Sequence, residues 1–105
     1  MSNRRKTIAV DFDGTLFTDN WPNIGEPKWD VINRVKAEQE NGTAVILWTC
    51  REGWRLYDAV EACKRVGLYF DAVNDSTDEW KKLFNNETRK VGADEYWDDR
   101  AVKID

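Results

Sequence analysis

At 105 residues the chain suits one compact domain and leaves no room for two. Its formal charge of −4, from 16 basic and 20 acidic side chains, argues against nucleic-acid binding through bulk charge and leaves only a local basic patch open. Hydrophobic residues make up 41%, enough for a modest core. No apolar run approaches the roughly 18–20 residues that a membrane-spanning helix needs, so no membrane role is expected.

The chain begins with a polar lead-in, Ser2 to Lys6, whose basic residues are too few for a targeting signal. The first apolar run, residues 6–10, is nearly continuous and reads as a strand buried on both faces. It is followed at once by Asp11-Phe12-Asp13-Gly14-Thr15. Side chains alternate along a strand, so Asp11 and Asp13 should leave on one side and Phe12 on the other. Two carboxylates at one point repel unless a cation or a shared proton lies between them. Gly14 permits a sharp turn.

Residues 16–26 form a loop too short to fold alone and lie beside that carboxylate pair. Pro27 is a good first residue for a helix in which Trp29, Ile32, Val35 and Lys36 recur at helical spacing, and Asn41-Gly42 ends it. A second buried strand is expected over residues 44–48. A second helix runs from about Gly53 to Val66, with Leu56, Val60 and Cys63 on one face and Gly67 past its end. Apolar runs at 68–73 and 94–97 supply two more strands. In the polar segment between them, Ser76-Thr77-Asp78-Glu79 matches a capping box before a short helix carrying Trp80, Leu83 and Phe84.

Strands alternating with helices predict an α/β fold, a three-layer α/β/α Rossmann-like arrangement around a small parallel sheet. Ligands of such sheets bind at the carboxyl ends of the strands. There the topology would gather Asp11 and Asp13, then Thr49-Cys50-Arg51, then Asp98-Asp99-Arg100. Oxygen ligands without histidine suit a hard cation, Mg²⁺ above all. The start of the second helix suits a phosphate. A carboxylate nucleophile and a second carboxyl for proton transfer describe phosphoryl transfer through an aspartyl-phosphate. Thr49-x-x-Glu52 also matches a capping box, which does not conflict with a phosphate contact at the same place.

These residues resemble the haloacid dehalogenase (HAD) superfamily of phosphatases. Asp11-Phe12-Asp13-Gly14-Thr15 resembles its first signature, Thr49 in Leu47-Trp48-Thr49-Cys50-Arg51 its second, and Asp98-Asp99 its fourth, in order and at strand ends. The likeness spans nearly the whole chain and is greatest to very small members without a cap domain. It implies a single HAD-like hydrolase domain over residues 1–105. Asp11 would attack phosphorus, and Asp13 would protonate the leaving group and then activate water. Asp11, Asp13 through its backbone carbonyl, Asp98 and Asp99 would hold Mg²⁺. Gly14, Thr15, Thr49, Cys50 and Arg51 would surround the phosphate. The third signature is a lysine; Lys90 matches the small subgroup, while Lys81 and Lys82 sit at a separation nearer to that of larger relatives.

Several expectations stay open at this stage. Arg51 and Arg100 are as suited to pairing with carboxylates as to touching substrate. Cys50 reads better as a small buried residue than as a nucleophile. With Cys63, and without metal-ligand spacing, it reads as a reduced thiol of a cytoplasmic protein. The six tryptophans read mainly as packing, with Trp21 and Trp54 near enough to the site to meet a substrate. Trp97 is bulkier than the aliphatic residue expected before paired aspartates. Little chain follows Asp99 to cover the last strand, which favours self-association or a longer chain. The partner is a phosphorylated substrate: a nucleotide, a sugar phosphate or a polynucleotide end. A phospho-acceptor module and a transferase to an acceptor other than water are the competing readings; keeping both Asp11 and Asp13 favours turnover.

Overall fold

A computed structural model describes residues 5–84 and 91–98. Seven elements follow one another: β1 (Thr7–Val10), α1 (Trp29–Glu40), β2 (Ala44–Leu47), α2 (Gly53–Arg65), β3 (Ala72–Val73), α3 (Asp78–Phe84) and β4 (Glu95–Trp97). The four strands form one sheet in the order β3-β2-β1-β4, and every pairing is parallel. This is a Rossmann-like α/β fold, as the alternation of strands and helices predicts.

The two central strands are buried at every residue because both their faces are covered. One face carries Ile8, Val10, Val45 and Leu47 and packs with Ile32 and Val35 of α1 and Ala59, Ala62 and Cys63 of α2. Among the described residues the other is thinner: Ala9 and Ile46 meet Val91, with Trp48, Ala72, Ala93 and Tyr96 at the margin. Each fully buried aliphatic side chain contributes roughly 1.5–3 kcal/mol. Trp97 falls in register with Val10 and joins the thicker face. Its ring lies under the Arg34 guanidinium at 5.1 Å, so the bulky residue closes the sheet edge toward α1 rather than crowding the strands.

The edge strands are shorter than their apolar runs, and the reason is the same on both sides. Asp71 donates its N–H to the Val45 carbonyl at 2.8 Å, while its carboxylate accepts the Val45 N–H at 2.8 Å. Asp94 does this against Thr7, donating to the Thr7 carbonyl and accepting its N–H, both at 2.8 Å. At each site a side-chain oxygen replaces the backbone carbonyl that would continue the ladder, so β3 and β4 start one residue later. Leu68, expected in a strand, is instead fully buried in the core.

Two helix starts differ from expectation. Pro27 does not open α1; it forms a bridge with Phe17, and the following Lys28 N–H donates to the Leu16 carbonyl at 2.9 Å. In α3 the cap is Thr77 rather than Ser76: the Thr77 hydroxyl accepts the Trp80 N–H at 3.2 Å. The Ser76 hydroxyl accepts the Gly92 N–H at 2.8 Å and ties α3 to the segment before β4. Among the described residues, no helix is long and apolar enough to cross a membrane.

Candidate active site

Parallel strands place all their carboxyl ends on one edge. In sheet order that edge carries Asn74 and Asp75 after β3, Thr49 after β2, Asp11 and Asp13 after β1, and Asp98 after β4. Asp11 therefore sits on an inner strand, one strand spacing of about 4.8 Å from each neighbour. Its N–H donates to the Trp97 carbonyl at 2.9 Å, which extends the β1–β4 ladder and sets Asp11 beside Asp98. The described acids thus fall into two sets. Asp71 and Asp94 cap the amino edge of the sheet, whereas Asp11, Asp13, Asp75 and Asp98 occupy the carboxyl edge.

The turn after β1 is built around the Phe12 carbonyl, which accepts the N–H groups of Thr15, Leu16 and Phe17 at 3.3, 3.1 and 3.2 Å. Phe12 is fully buried and stacks on Phe17 with ring centroids 4.9 Å apart. Asp11 and Asp13 are only half-buried, the alternation that the sequence predicts. Asp11 accepts the Phe12 N–H on Oδ1 at 2.8 Å. Gly14 follows with φ 86°, a conformation costly for any residue with a Cβ.

The loop over residues 16–26 closes on itself at its base. Thr18 donates its N–H to the Glu26 carbonyl, and Glu26 donates its N–H to the Thr18 hydroxyl, both at 2.8 Å. Gly25 is required by this closure, since a Cβ there would lie 2.0 Å from the Thr18 carbonyl oxygen.

What holds the loop to the site is Arg51. Its side chain is 1% exposed, and its guanidinium grips Asp13 with both arms: Nε to Oδ2 at 2.8 Å and Nη2 to Oδ1 at 2.7 Å. It also donates to the Pro22 and Asn23 carbonyls at 3.1 and 2.8 Å, and lies against the rings of Phe12 and Trp21 at 5.1 and 4.9 Å. A buried guanidinium is tolerated only where several acceptors surround it, and here they do. Of the two expectations for Arg51, pairing with a carboxylate is the one realised. Arg51 is a buried strut that positions Asp13 and the loop tip, and it does not line an open phosphate cradle.

Thr49 is half-buried beside Asp11's strand, but it caps no helix. Its hydroxyl accepts the Arg51 N–H at 3.1 Å, and Glu52, the residue before α2, makes no side-chain cap. The capping box fails because the hydroxyl turns the chain two residues on instead of reaching the helix. Thr49 is itself oriented by Asn74, whose Oδ1 accepts the Thr49 N–H at 2.7 Å. Asn74 adopts φ 51°, and asparagine is among the residues that tolerate this region.

Lys28 is a second residue that the sequence reading passed over. Its Nζ donates to the Gly14 carbonyl at 2.9 Å and sets a cation beside the turn that carries Asp13. The only sequence signal was a lysine directly before the helical run. Of the lysines considered for the third signature, Lys81 is engaged at 2.8 Å by Asp75 beyond β3, two strands from Asp11. Hydrogen bonding to Asp75 raises its pKa. Lys82 is exposed on α3. Lys90, like Asp99 and Arg100, lies outside the described residues. Thr15 is buried behind the turn.

For a hard cation, oxygen donors are the fitting chemistry, and Asp11 and Asp98 lie on adjacent strand ends. Arg51 bonds both oxygens of the Asp13 carboxylate, and the Asp13 backbone carbonyl is the donor that the resemblance assigns. Among the described residues, no group of three or more carboxylate or thiol side chains is placed to hold a metal ion. The described residues include Asp11 and Asp98, two of the three carboxylates that the resemblance implies, and Asp13, whose carbonyl is the fourth donor.

Cys50 is exposed, contrary to the expectation of a small buried residue, because the Thr49 turn directs Arg51 inward and leaves its neighbour outside. Cys63 is buried in the core, and burial pushes its thiol up to about 12. A maleimide is expected to label the native protein once, at Cys50, and to reach Cys63 only after unfolding. Mass spectrometry of the Cys50→Ser variant checks this: native labelling of that variant would show that the core opens readily.

No family model matches the chain, and no curated protein matches it. Among solved structures, it is similar to a conserved protein from Bacteroides thetaiotaomicron. The two are 40% identical with a TM-score of 0.81, over 94% of this chain and 79% of that one.

Proposed function

We propose that this chain, which belongs to the family of that conserved Bacteroides thetaiotaomicron protein, is a Mg²⁺-dependent phosphatase of the HAD type acting through an aspartyl-phosphate. The observation that carries the reading is the placement of Asp11 and Asp13 at the carboxyl end of an inner strand, between the ends carrying Thr49 and Asp98.

In this reading an Asp11 oxygen attacks phosphorus as the bond to the leaving oxygen breaks. Asp13 hands its proton to that oxygen, then takes one from the water that cleaves the acyl phosphate. Thr49, oriented by Asn74, contacts the transferred group. Lys28 supports the Asp13-Gly14 turn through the Gly14 carbonyl. Mg²⁺ would be held by Asp11, the Asp13 carbonyl and Asp98, together with Asp99, and would offset the negative charge of nucleophile and phosphate. Lys90 remains the proposed charge-balancing lysine.

Release of p-nitrophenol from p-nitrophenyl phosphate tests the reading. Turnover is expected with Mg²⁺ and is expected to vanish with EDTA. Turnover unchanged by EDTA would sink the metal-dependent mechanism.

One observation favours a second reading. Arg51 holds both oxygens of Asp13, and it competes there with the leaving group and with water. Were that grip kept throughout, phosphorylated Asp11 would persist and the domain would act as a phospho-acceptor. Incubation with acetyl phosphate and intact-mass analysis separates the two: a long-lived gain of one phosphoryl group marks the acceptor, its absence beside steady turnover marks the phosphatase.

A further inference from the structure

Two of the largest exposed side chains among the described residues stand beside the carboxyl edge. Trp21, at the loop tip, is 56% exposed, and Trp54, in the first turn of α2, is 67% exposed. Isolated exposed apolar residues need no explanation. These two, however, are joined by guanidinium groups into a series. Arg51 lies 4.9 Å from the Trp21 ring, Arg55 lies 5.2 Å from the same ring, and Arg55 also lies 4.6 Å from the Trp54 ring. The series starts at the Asp13 carboxylate and ends in solvent.

The construction is specific. Arg51 lies two residues before α2 and Arg55 in its first turn, and both guanidiniums lie against the Trp21 ring. The buried Arg51 fixes the loop carrying Trp21 through the Pro22 and Asn23 carbonyls. The ring is thereby held in place before any ligand arrives, which lowers the ordering cost of binding. Indole faces and guanidinium planes both stack on planar π systems. Arg55, the cation between the two rings, also suits an anionic ligand, in a molecule whose overall charge is −4.

We propose that Trp21, Arg55 and Trp54 form a base-stacking platform, and that the substrate is a nucleoside monophosphate. Its phosphate reaches the Asp11 edge and its base lies on the exposed indoles. This deepens the phosphatase reading and rests on it for the placement of the phosphate. A mononucleotide fits better than a polymer end, because the acidic surface would repel a polyanion.

Two measurements keep the platform and the chemistry apart. Adenosine, which carries no phosphate, is titrated in EDTA while tryptophan fluorescence is followed. Saturable quenching is expected in the wild type and is expected to be lost in Trp54→Ala, whose exposed position spares the core; unchanged thermal unfolding confirms its fold. With Mg²⁺, the ratio of kcat/KM for AMP to that for ribose 5-phosphate is then compared. Loss of one stacking ring is expected to lower that ratio roughly tenfold. Absence of adenosine quenching in the wild type overturns the platform. So does hydrolysis of ribose 5-phosphate with no preference for AMP, which would leave the phosphatase reading standing. Quenching by adenosine without release of phosphate from either compound supports the platform and removes the phosphatase. Preference for a 5′-phosphorylated oligonucleotide over AMP overturns the mononucleotide assignment.

Discussion

Asp11→Asn is expected to abolish Mg²⁺-dependent release of p-nitrophenol, with kcat down on the order of 10⁴-fold or more, the scale of removing a covalent nucleophile. The fold should survive, because the asparagine keeps the Oδ1 acceptor that receives the Phe12 N–H at 2.8 Å. Unfolding midpoints within a few degrees of the wild type would separate lost chemistry from lost structure. Asp13→Asn is expected to lower kcat less, by roughly 10²–10⁴-fold, the range of general acid–base catalysis. The decisive pattern is unequal: the nucleophile variant loses acyl-phosphate formation with acetyl phosphate, whereas the acid–base variant forms it and releases it slowly. Activity retained in Asp11→Asn would exclude Asp11 as the nucleophile.

The second large effect is on stability. Arg51→Ala is expected to destabilise the domain by about 3–5 kcal/mol, the cost of removing one partner from a buried ion pair. Several losses add up at this residue. Asp13 loses both its bonds to the guanidinium, the Pro22 and Asn23 carbonyls lose their donors, and a space opens between Phe12 and Trp21. At roughly 4–8 °C per kcal/mol for a small domain, the unfolding midpoint should fall by more than 10 °C. Arg51→Lys keeps the charge but not the planar two-armed grip, and an intermediate loss is expected. A midpoint unchanged in Arg51→Ala would mean that the loop holds without its strut. The same variant also frees both Asp13 oxygens. If the grip slows proton transfer, any folded fraction should release p-nitrophenol faster per molecule, and a slower rate would mean that Arg51 serves catalysis by positioning.

Much of the site's frame could be read from local pattern. A continuous β-branched run followed by Asp-x-Asp-Gly places two acids at a strand end by backbone alternation alone, and the described strands and helices follow the expected order. α2 begins at Gly53 as expected, because its apolar period and its flanking glycines are local signals. What failed were the places where a local signal met a distant competitor. Pro27 had a good helix-start sequence, but pairing with Phe17 claimed it first. Thr49-x-x-Glu52 had the form of a capping box, but the hydroxyl turned toward Arg51. Asp71 fell inside one expected strand and Asp94 at the start of another, yet each carboxylate accepts an N–H of the neighbouring strand just before its own strand begins.

The sequence by itself determined the parallel α/β order, the burial of β1 and β2 and the gathering of Asp11, Asp13, Thr49 and Asp98 at one edge, since hydrophobic period and strand polarity are properties of neighbouring residues. Only the tertiary structure decided which cation meets which acid. Arg51 and Asp13 are 38 residues apart, and nothing near either one distinguishes that pairing from others among the chain's 16 basic and 20 acidic side chains. The same holds for the exposure of Cys50, the orientation of Thr49 by Asn74 and the chain of indole and guanidinium contacts from Asp13 to solvent. Charge pairing has no sequence period. It is set by the distances that remain once the core has packed.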